Sequence, residues 1–328
     1  MNNMKWRQAI LGATISAGLL TSTLTTVRAS SVETRASQIA SSEKTEKEKA
    51  ELLTELNKTL GKAPVDAHVD RVWHAVPGLC GWSLDVSRSL KQSGKDQGGA
   101  LHLVWNSVPP KRRLASLPPE PIYRGPESEK SAALMFNVAW GEADIPSILS
   151  TLDKYHVKAT FFLDGNWVEK NQELARRLRA DGQAIGSHGT GHPDFRRLSD
   201  AALARQVTLT NERIFRTVGT KVDLLAPPAG AYDERIVRLA RQHNMYTILW
   251  TVDTIDWNRP PANVIVKRVM TRIEPGSLIL MHPTPSTAAA LPVMIERLQE
   301  EGYRLKTVEA VVREEPVAHP PETLRRQS

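Results

Sequence analysis

The sequence has little cysteine and no regular repeat of glycine and proline. Cys80 is the single cysteine among 328 residues, which excludes an intramolecular disulfide bond. A lone cysteine is more often a small buried apolar residue than a reactive thiol, and we expect Cys80 to be of the first kind. The 19 glycines and 21 prolines follow no collagen-like period, so a triple helix is excluded.

A dense block of positive charge is also missing from the C-terminal part, although the net charge is +7. The excess of lysine and arginine lies mainly in residues 1–130. This distribution argues against nucleic acid as a partner and favours a milder attraction to an anionic polymer. The fractions of hydrophobic residues (41%) and charged residues (24%) exclude a wholly disordered chain and a multi-span membrane protein.

Residues 1–29 have the pattern of an export signal. Lys5 and Arg7 precede an uncharged apolar run over 9–20, and the triplet VRA then offers small residues to a signal peptidase. An uncleaved membrane anchor is the alternative, because residues 8–27 carry no charge and nearly span a bilayer of ~30 Å as a helix. Under both interpretations we expect the rest of the chain outside the cytoplasm, either secreted or attached to the membrane through this segment alone.

Composition divides the rest of the chain into five segments. Residues 30–62 are rich in Ser, Glu and Lys and predict a tether followed by a short surface helix. Residues 63–106 predict a small α/β unit, and residues 107–130, which hold six prolines, predict a linker. Residues 131–312 form the largest segment, and the polar residues 313–328 predict a flexible tail.

The large segment alternates strand-like and helix-like runs in a regular order. The predicted strands are AALMFNV, KATFFL, AIGSH, DLLAPP, YTILWTVD, SLILMH and RLKTV. About seven strand–helix units indicate an α/β fold with a parallel sheet, closed or nearly closed into a barrel. Functional sites of such barrels lie at the C-terminal ends of the strands, so reactive side chains are expected there.

Two histidines follow the third predicted strand in the sequence SHGTGHP. The glycines and the proline favour a loop, in which the imidazoles of His188 and His192 face one point. A pair of neutral imidazoles is what a zinc-like ion needs. The alternative is a loop with two histidines and no metal.

Carboxylates, an indole and a further histidine follow later strands. Asp253, Asp256 and Trp257 come at the end of the fifth strand, and His282 ends the sixth. A histidine oriented by a carboxylate is suited to act as a general acid. The alternative is a helix-capping Asp253 and a packed His282. The loop APPAG, which contains Pro228, is rigid enough to wall a groove.

In this order, the strand ends HGTGH, APPAG, DTIDW and LILMH resemble those of the polysaccharide deacetylases, the NodB-homology or carbohydrate esterase 4 family. The resemblance covers about residues 131–312. It implies a distorted (β/α)7 barrel, which the small N-terminal α/β unit predicted from the residues would precede. It also implies a divalent metal, usually zinc, that activates a water and polarises the acetamide of an N-acetylated sugar.

The resemblance assigns a role to each matching residue. His188 and His192 become metal ligands, and His282 becomes the acid that protonates the leaving amine. Asp256 pairs with that histidine, and Trp257 lines the acetyl pocket.

The first and third motifs depart from the family pattern. Where the family has TFDDG, this chain has FNVAWGE, so Asn137 stands in place of the base and Val138 in place of a metal ligand. Ala226 replaces the arginine that orients the base. An amide cannot accept a proton at neutral pH, and valine cannot bind a metal.

Other side chains compensate for these losses only if they reach the site. Glu142 and Asp164 are the nearest candidates for a third metal ligand, and Asp253 is a candidate substitute base. Trp140 and Trp257 could stack on sugar rings without any catalysis.

The strings NVAWGE, LAPPAG and WTVDTIDW resemble a sporulation-associated subgroup of the family. Three hypotheses follow. The first is a metal-dependent N-deacetylase acting on peptidoglycan or a chitin-like polysaccharide of the cell wall or spore. The second is a catalytically inactive glycan-binding member of the cell envelope. The third makes residues 43–106 the functional part, as a docking module for a partner in the cell envelope.

Overall fold

The computed structural model describes residues 45–94, 101–316, 320 and 322–324. The predicted export signal and most of the predicted tether therefore lie outside the described residues. Among the helices that are described, none combines the length and apolar character needed to cross a membrane. The described residues fall into two compact units, one with 45–63, 81–94, 101–108, 320 and 322–324, and the other with 64–80 and 109–316.

The helices and strands are numbered here along the chain. The described helices are α1 (Glu46–Leu60), α2 (Val86–Ser93), α3 (Ile145–Lys154), α4 (Gly165–Lys170), α5 (Gln172–Ala180), α6 (Asp200–Val218), α7 (Glu234–Gln242), α8 (Ala262–Met270), α9 (Pro285–Glu300) and α10 (Val308–Val312). The described strands are β1 (His68–Asp70), β2 (His74–Val76), β3 (Gly81–Leu84), β4 (Leu101–His102), β5 (Trp105–Val108), β6 (Ser131–Val138), β7 (Thr160–Leu163), β8 (Ala184–Ser187), β9 (Leu224–Leu225), β10 (Tyr246–Thr247), β11 (Val252–Asp253), β12 (Ser277–Met281), β13 (Arg304–Lys306) and β14 (Thr323–Leu324).

The smaller unit contains α1, which is the short surface helix predicted within residues 30–62. Thr45 and Glu48 form a capping box at its start, so the first exposed backbone N–H groups have acceptors. Leu53 and Leu56 face a small core with Leu84 from β3. Strand β3 pairs antiparallel with β5, and β4 pairs antiparallel with β14.

The larger unit contains a parallel sheet of strand order β10-β9-β8-β7-β6-β12-β11. Strand β13 pairs with the first half of β6, and β7 pairs with its second half. The two outermost strands, β10 and β11, belong to one stretch of chain, residues 246–253. Because this stretch pairs with β9 at its start and with β12 at its end, it closes the curled sheet. The predicted α/β barrel is confirmed.

One predicted strand, YTILWTVD, is two short strands instead. After β10 the backbone N–H of Leu249 donates to the carbonyl of Ile122, and the N–H of Thr251 donates to Leu278. The chain thus changes partners in the middle of the run. The apolar pattern could not show this change, because both halves contribute buried apolar residues, such as Ile248 and Val252, to the barrel wall.

The proline-rich segment 107–130 is not the predicted linker. Ile122 forms a parallel bridge to Ile248, and Arg124 forms an antiparallel bridge to Ser277. This short stretch therefore completes the barrel wall beside the closing stretch. The bridging residues lie between the prolines. They therefore have the backbone N–H groups that a bridge requires and that proline lacks; the N–H of Ile122, for example, donates to the carbonyl of Thr247.

Two further boundaries differ from the prediction. Residues 64–80, which the composition joined to a unit over 63–106, group with the barrel. Residues 313–316 are ordered rather than a flexible tail, since the buried carboxylate of Glu314 accepts hydrogen bonds from the backbone N–H groups of Gly78 and Leu114, both at 2.9 Å. The Nε of Arg113 donates to its other oxygen.

We predict that Glu314→Ala lowers the free energy of unfolding by about 2–4 kcal/mol, because two backbone N–H groups lose their acceptor in a buried place. Urea denaturation followed by circular dichroism measures the change. The neighbouring exposed carboxylate serves as the control, and Glu315→Ala should stay within about 0.5 kcal/mol of the unchanged protein. Equal effects of the two substitutions would contradict the role given to Glu314.

Candidate functional site

A cavity of about 420 Å³ lies at the C-terminal ends of the barrel strands. Its walls come from the loops that follow β6, β8, β9 and β11, from the closing stretch and from β12. The lining residues are Asn137, Ala139, Trp140, His188, His192, Ala229, Trp250, Asp253, Trp257, Leu280 and His282. Seven of the residues singled out in the sequence therefore meet at one place.

His188, the first of the two paired histidines, is fixed by the backbone beside it. It follows β8 and is buried, and its Nδ1 donates to the carbonyl oxygen of Ala226 at 2.7 Å. The Nε2 lone pair remains for the cavity. The pKa of His188 is lowered to about 3, mainly by burial; the hydrogen bond to Ala226 opposes this change, and the neighbouring His192 and His282 add to it. This imidazole is therefore neutral at physiological pH.

Asp164 holds the histidine loop in place. Its Oδ1 accepts from the backbone N–H groups of Asn166 and Trp167, at the start of α4. Its Oδ2 accepts from the N–H of Gly191 at 2.6 Å and of His192 at 3.3 Å. A carboxylate engaged four times by the backbone is a poor metal ligand. The structure thus gives Asp164 a bracing role in place of the third-ligand role suggested for it.

His282 is oriented by the buried carboxylate of Asp256. Its Nδ1 donates to Asp256 Oδ1 at 2.8 Å, while Asp256 Oδ2 accepts from the backbone N–H of His282 and from the hydroxyl of Thr287. The Nε2 of His282 is left for the cavity. The ring stacks on Trp140, with centroids 5.8 Å apart and planes inclined by 5°. The predicted acid–histidine pair is present, and Thr287 is a third member that the sequence did not reveal.

The degenerate positions have two different environments. Asn137 lines the cavity and is 3% exposed, and its Oδ1 is buried without a hydrogen-bond partner among the described residues. Val138 faces the opposite side of β6 and is completely buried in the core between sheet and helices. Ala226 lies in the core inside the barrel. None of the three can supply a carboxylate or a guanidinium.

Some lining residues were missed, and some predicted residues lie elsewhere. Trp250 reaches the cavity from the closing stretch, where the sequence predicted an unbroken strand. The turn after β9 contributes Ala229, while Pro228 is buried and does not line the cavity. Gly230 has a φ of +65°, and an added Cβ would lie 2.6 Å from Trp250, so this turn packs directly on the indole. Glu142 lines a neighbouring cavity with Asp164.

The described residues form an α/β barrel with a candidate site at its strand ends, and comparison with known proteins shows the family to which the chain belongs. The sequence model of a family described as polysaccharide deacetylase matches residues 124–248. The uncharacterized protein YlxY of Bacillus subtilis is 41% identical over 248 residues, which are 75% of this chain and 77% of YlxY. A peptidoglycan-N-acetylglucosamine deacetylase of Bacillus cereus is 32% identical over 57% of this chain and 70% of its own.

Solved structures agree with these sequence relatives. The chain is similar to BA3943 of Bacillus anthracis, described as a pseudoenzyme of the carbohydrate esterase 4 family, with 39% identity, a TM-score of 0.72, and coverage of 81% of this chain and 95% of BA3943. It is also similar, at 38% identity and a TM-score of 0.72 over 81% of this chain and 98% of the other, to a BA3943 mutant with restored enzymatic activity. The chain belongs to the polysaccharide deacetylase family, carbohydrate esterase 4.

Deacetylases of this family are generally metal-dependent, so the donor set must be tested against a metal. A catalytic zinc site takes about three protein ligands. The rings of His188 and His192 have centroids 5.2 Å apart. In the part of the chain that the structure describes, no group of three or more His, Cys, Asp or Glu side chains is placed to hold a metal ion. The residues present do not fit a catalytic zinc ion.

We predict that the metal-free protein loses stability as the pH falls below about 6.5. The reason is that His188 is protonated below about pH 6.5 in the unfolded chain, but only near pH 3 in the folded protein. The loss from this group is about 1.4 kcal/mol per pH unit, or about 2 kcal/mol between pH 6.5 and pH 5.

Urea denaturation in the presence of a chelator at both pH values measures this loss. The variant His188→Gln lacks the titrating group, so its stability should depend less on pH by the same amount. An identical pH dependence in the two proteins would rule the assignment out.

Proposed function

We propose that this protein binds the glycan strands of cell-wall or spore peptidoglycan in the strand-end cavity and does not hydrolyse them. The observation that carries the proposal is the pair of residues at the end of β6. Asn137 presents a neutral amide to the cavity, and Val138 is turned into the core. The family's base and one of its metal ligands are thus both missing, and loss of a general base alone typically costs ~10²–10⁴ in rate.

The features needed for binding are retained. Trp140 and Trp257 are 41% and 56% exposed at the cavity, and partly exposed indoles stack well on the apolar faces of sugar rings. The cavity is large enough for a sugar unit. Relatives named as deacetylases of peptidoglycan N-acetylglucosamine and of peptidoglycan N-acetylmuramic acid support peptidoglycan as the polymer. An extracytoplasmic location, export through residues 1–29 and a role in sporulation belong to the same proposal.

Hydrolysis of the acetamide is the second candidate function. One observation favours it: the pair of His282 and Asp256 keeps the hydrogen-bonded arrangement of a general acid. This candidate requires a divalent metal, zinc being the first choice, on His188 and His192 with a third donor that the described residues do not provide.

We predict that Trp257→Ala weakens binding to soluble peptidoglycan fragments about tenfold, because an indole that stacks on a sugar ring is removed. Isothermal titration calorimetry measures the dissociation constant. The control is Phe215→Ala, which removes another half-exposed aromatic side chain on α6 away from the cavity. Equal losses in both variants, or none in either, would exclude the cavity as the binding site.

We also predict no acetate release from N-acetylated peptidoglycan by the full chain, with or without added zinc. Metal analysis after reconstitution should find no stoichiometric zinc. Acetate release that disappears in His282→Ala would instead establish the hydrolase and reject the binding-only function.

A further inference from the structure

We propose that the cavity selects glycan units that carry a free ammonium group, that is, amino sugars from which the acetyl group has already been removed. The proposal rests on the glycan-binding function above and specifies which form of the glycan is bound. It is carried by the aromatic walls of the cavity and by the single carboxylate among the described residues that line it.

Three indoles from separate parts of the chain line the cavity. Trp140 follows β6, Trp250 lies in the closing stretch, and Trp257 follows β11. Two of them are held in position by neighbouring residues: Trp140 stacks on His282, and Trp250 packs against the backbone at Gly230. Several tryptophans around one space form the environment that attracts an ammonium ion through cation–π interactions.

The fixed charge of the cavity has one sign. Asp253 is its only carboxylate lining residue, and no lysine or arginine is among the described residues that line it. Asp253 Oδ1 accepts from the backbone N–H of Ile255 at 2.8 Å. Its Oδ2 accepts no hydrogen bond within the described part of the chain, so it can accept one from a ligand.

The absence of the family's catalytic residues increases the expected preference for an ammonium group. A deacetylase of this family holds a metal cation beside its substrate, which would repel an ammonium group. Here the donor set does not fit that cation, and Asn137 adds no charge of its own. A positive group on the ligand is therefore the partner that Asp253 lacks. A neutral acetamide can donate its N–H to this carboxylate but leaves the negative charge uncompensated in a partly buried place.

The test compares two oligosaccharides of equal length and linkage, one fully N-acetylated and one fully de-N-acetylated, by titration calorimetry with the full chain near neutral pH. We expect the de-N-acetylated oligosaccharide to bind roughly tenfold more tightly, with a preference that shrinks as salt is added. The variant Asp253→Asn keeps an acceptor for Ile255 and should remove the preference for the de-N-acetylated oligosaccharide.

The control variant is Asp153→Asn, which removes the same charge from the exposed face of α3 and should leave the preference unchanged. Equal or tighter binding of the N-acetylated form, or an unchanged preference in Asp253→Asn, overturns this inference while the glycan-binding function stands. Binding of neither oligosaccharide overturns both.

Discussion

The alternation of side chains along β6 determines what the strand-end cavity can do. Because successive residues of a strand face opposite sides, Asn137 points into the cavity and Val138 into the packed layer between sheet and helices. Burying a valine side chain contributes about 1.5–3 kcal/mol to stability, whereas an unpaired carboxylate in the same place would be costly. Valine at position 138 therefore strengthens the core.

The family residues that remain are those on which the fold also depends. Asp256 accepts from the backbone of His282, from its ring and from Thr287 at the start of α9, so its removal would strand several buried polar groups. His188 is tied to the backbone of Ala226 in a similar way. The positions that have changed, Asn137 and Ala226, make no side-chain hydrogen bonds to other described residues. Retention of the histidines is thus explained by structure and is not in itself evidence of catalysis.

Much of the fold could be predicted from the sequence, because strand-like and helix-like runs alternate clearly between residues 131 and 312. His188, His192 and His282, which the sequence placed at strand ends, line one cavity. What the sequence could not show depends on long-range partners. Thr287 joins Asp256 across 31 residues, and Glu314 meets Gly78 across 236. Local patterns carry no information about such pairs. The bridges of Ile122 were hidden for a similar reason, since single bridges leave no periodic signal.

Residues 246–253 have two duties at once. Their ends join the two edges of the sheet, and Trp250 and Asp253 within them form part of the cavity wall. A ligand that contacts both side chains would bind directly to the stretch that closes the barrel. Ligand binding would then stabilise this closure of the sheet, and a mutation that loosens the closure would lower the affinity for the sugar.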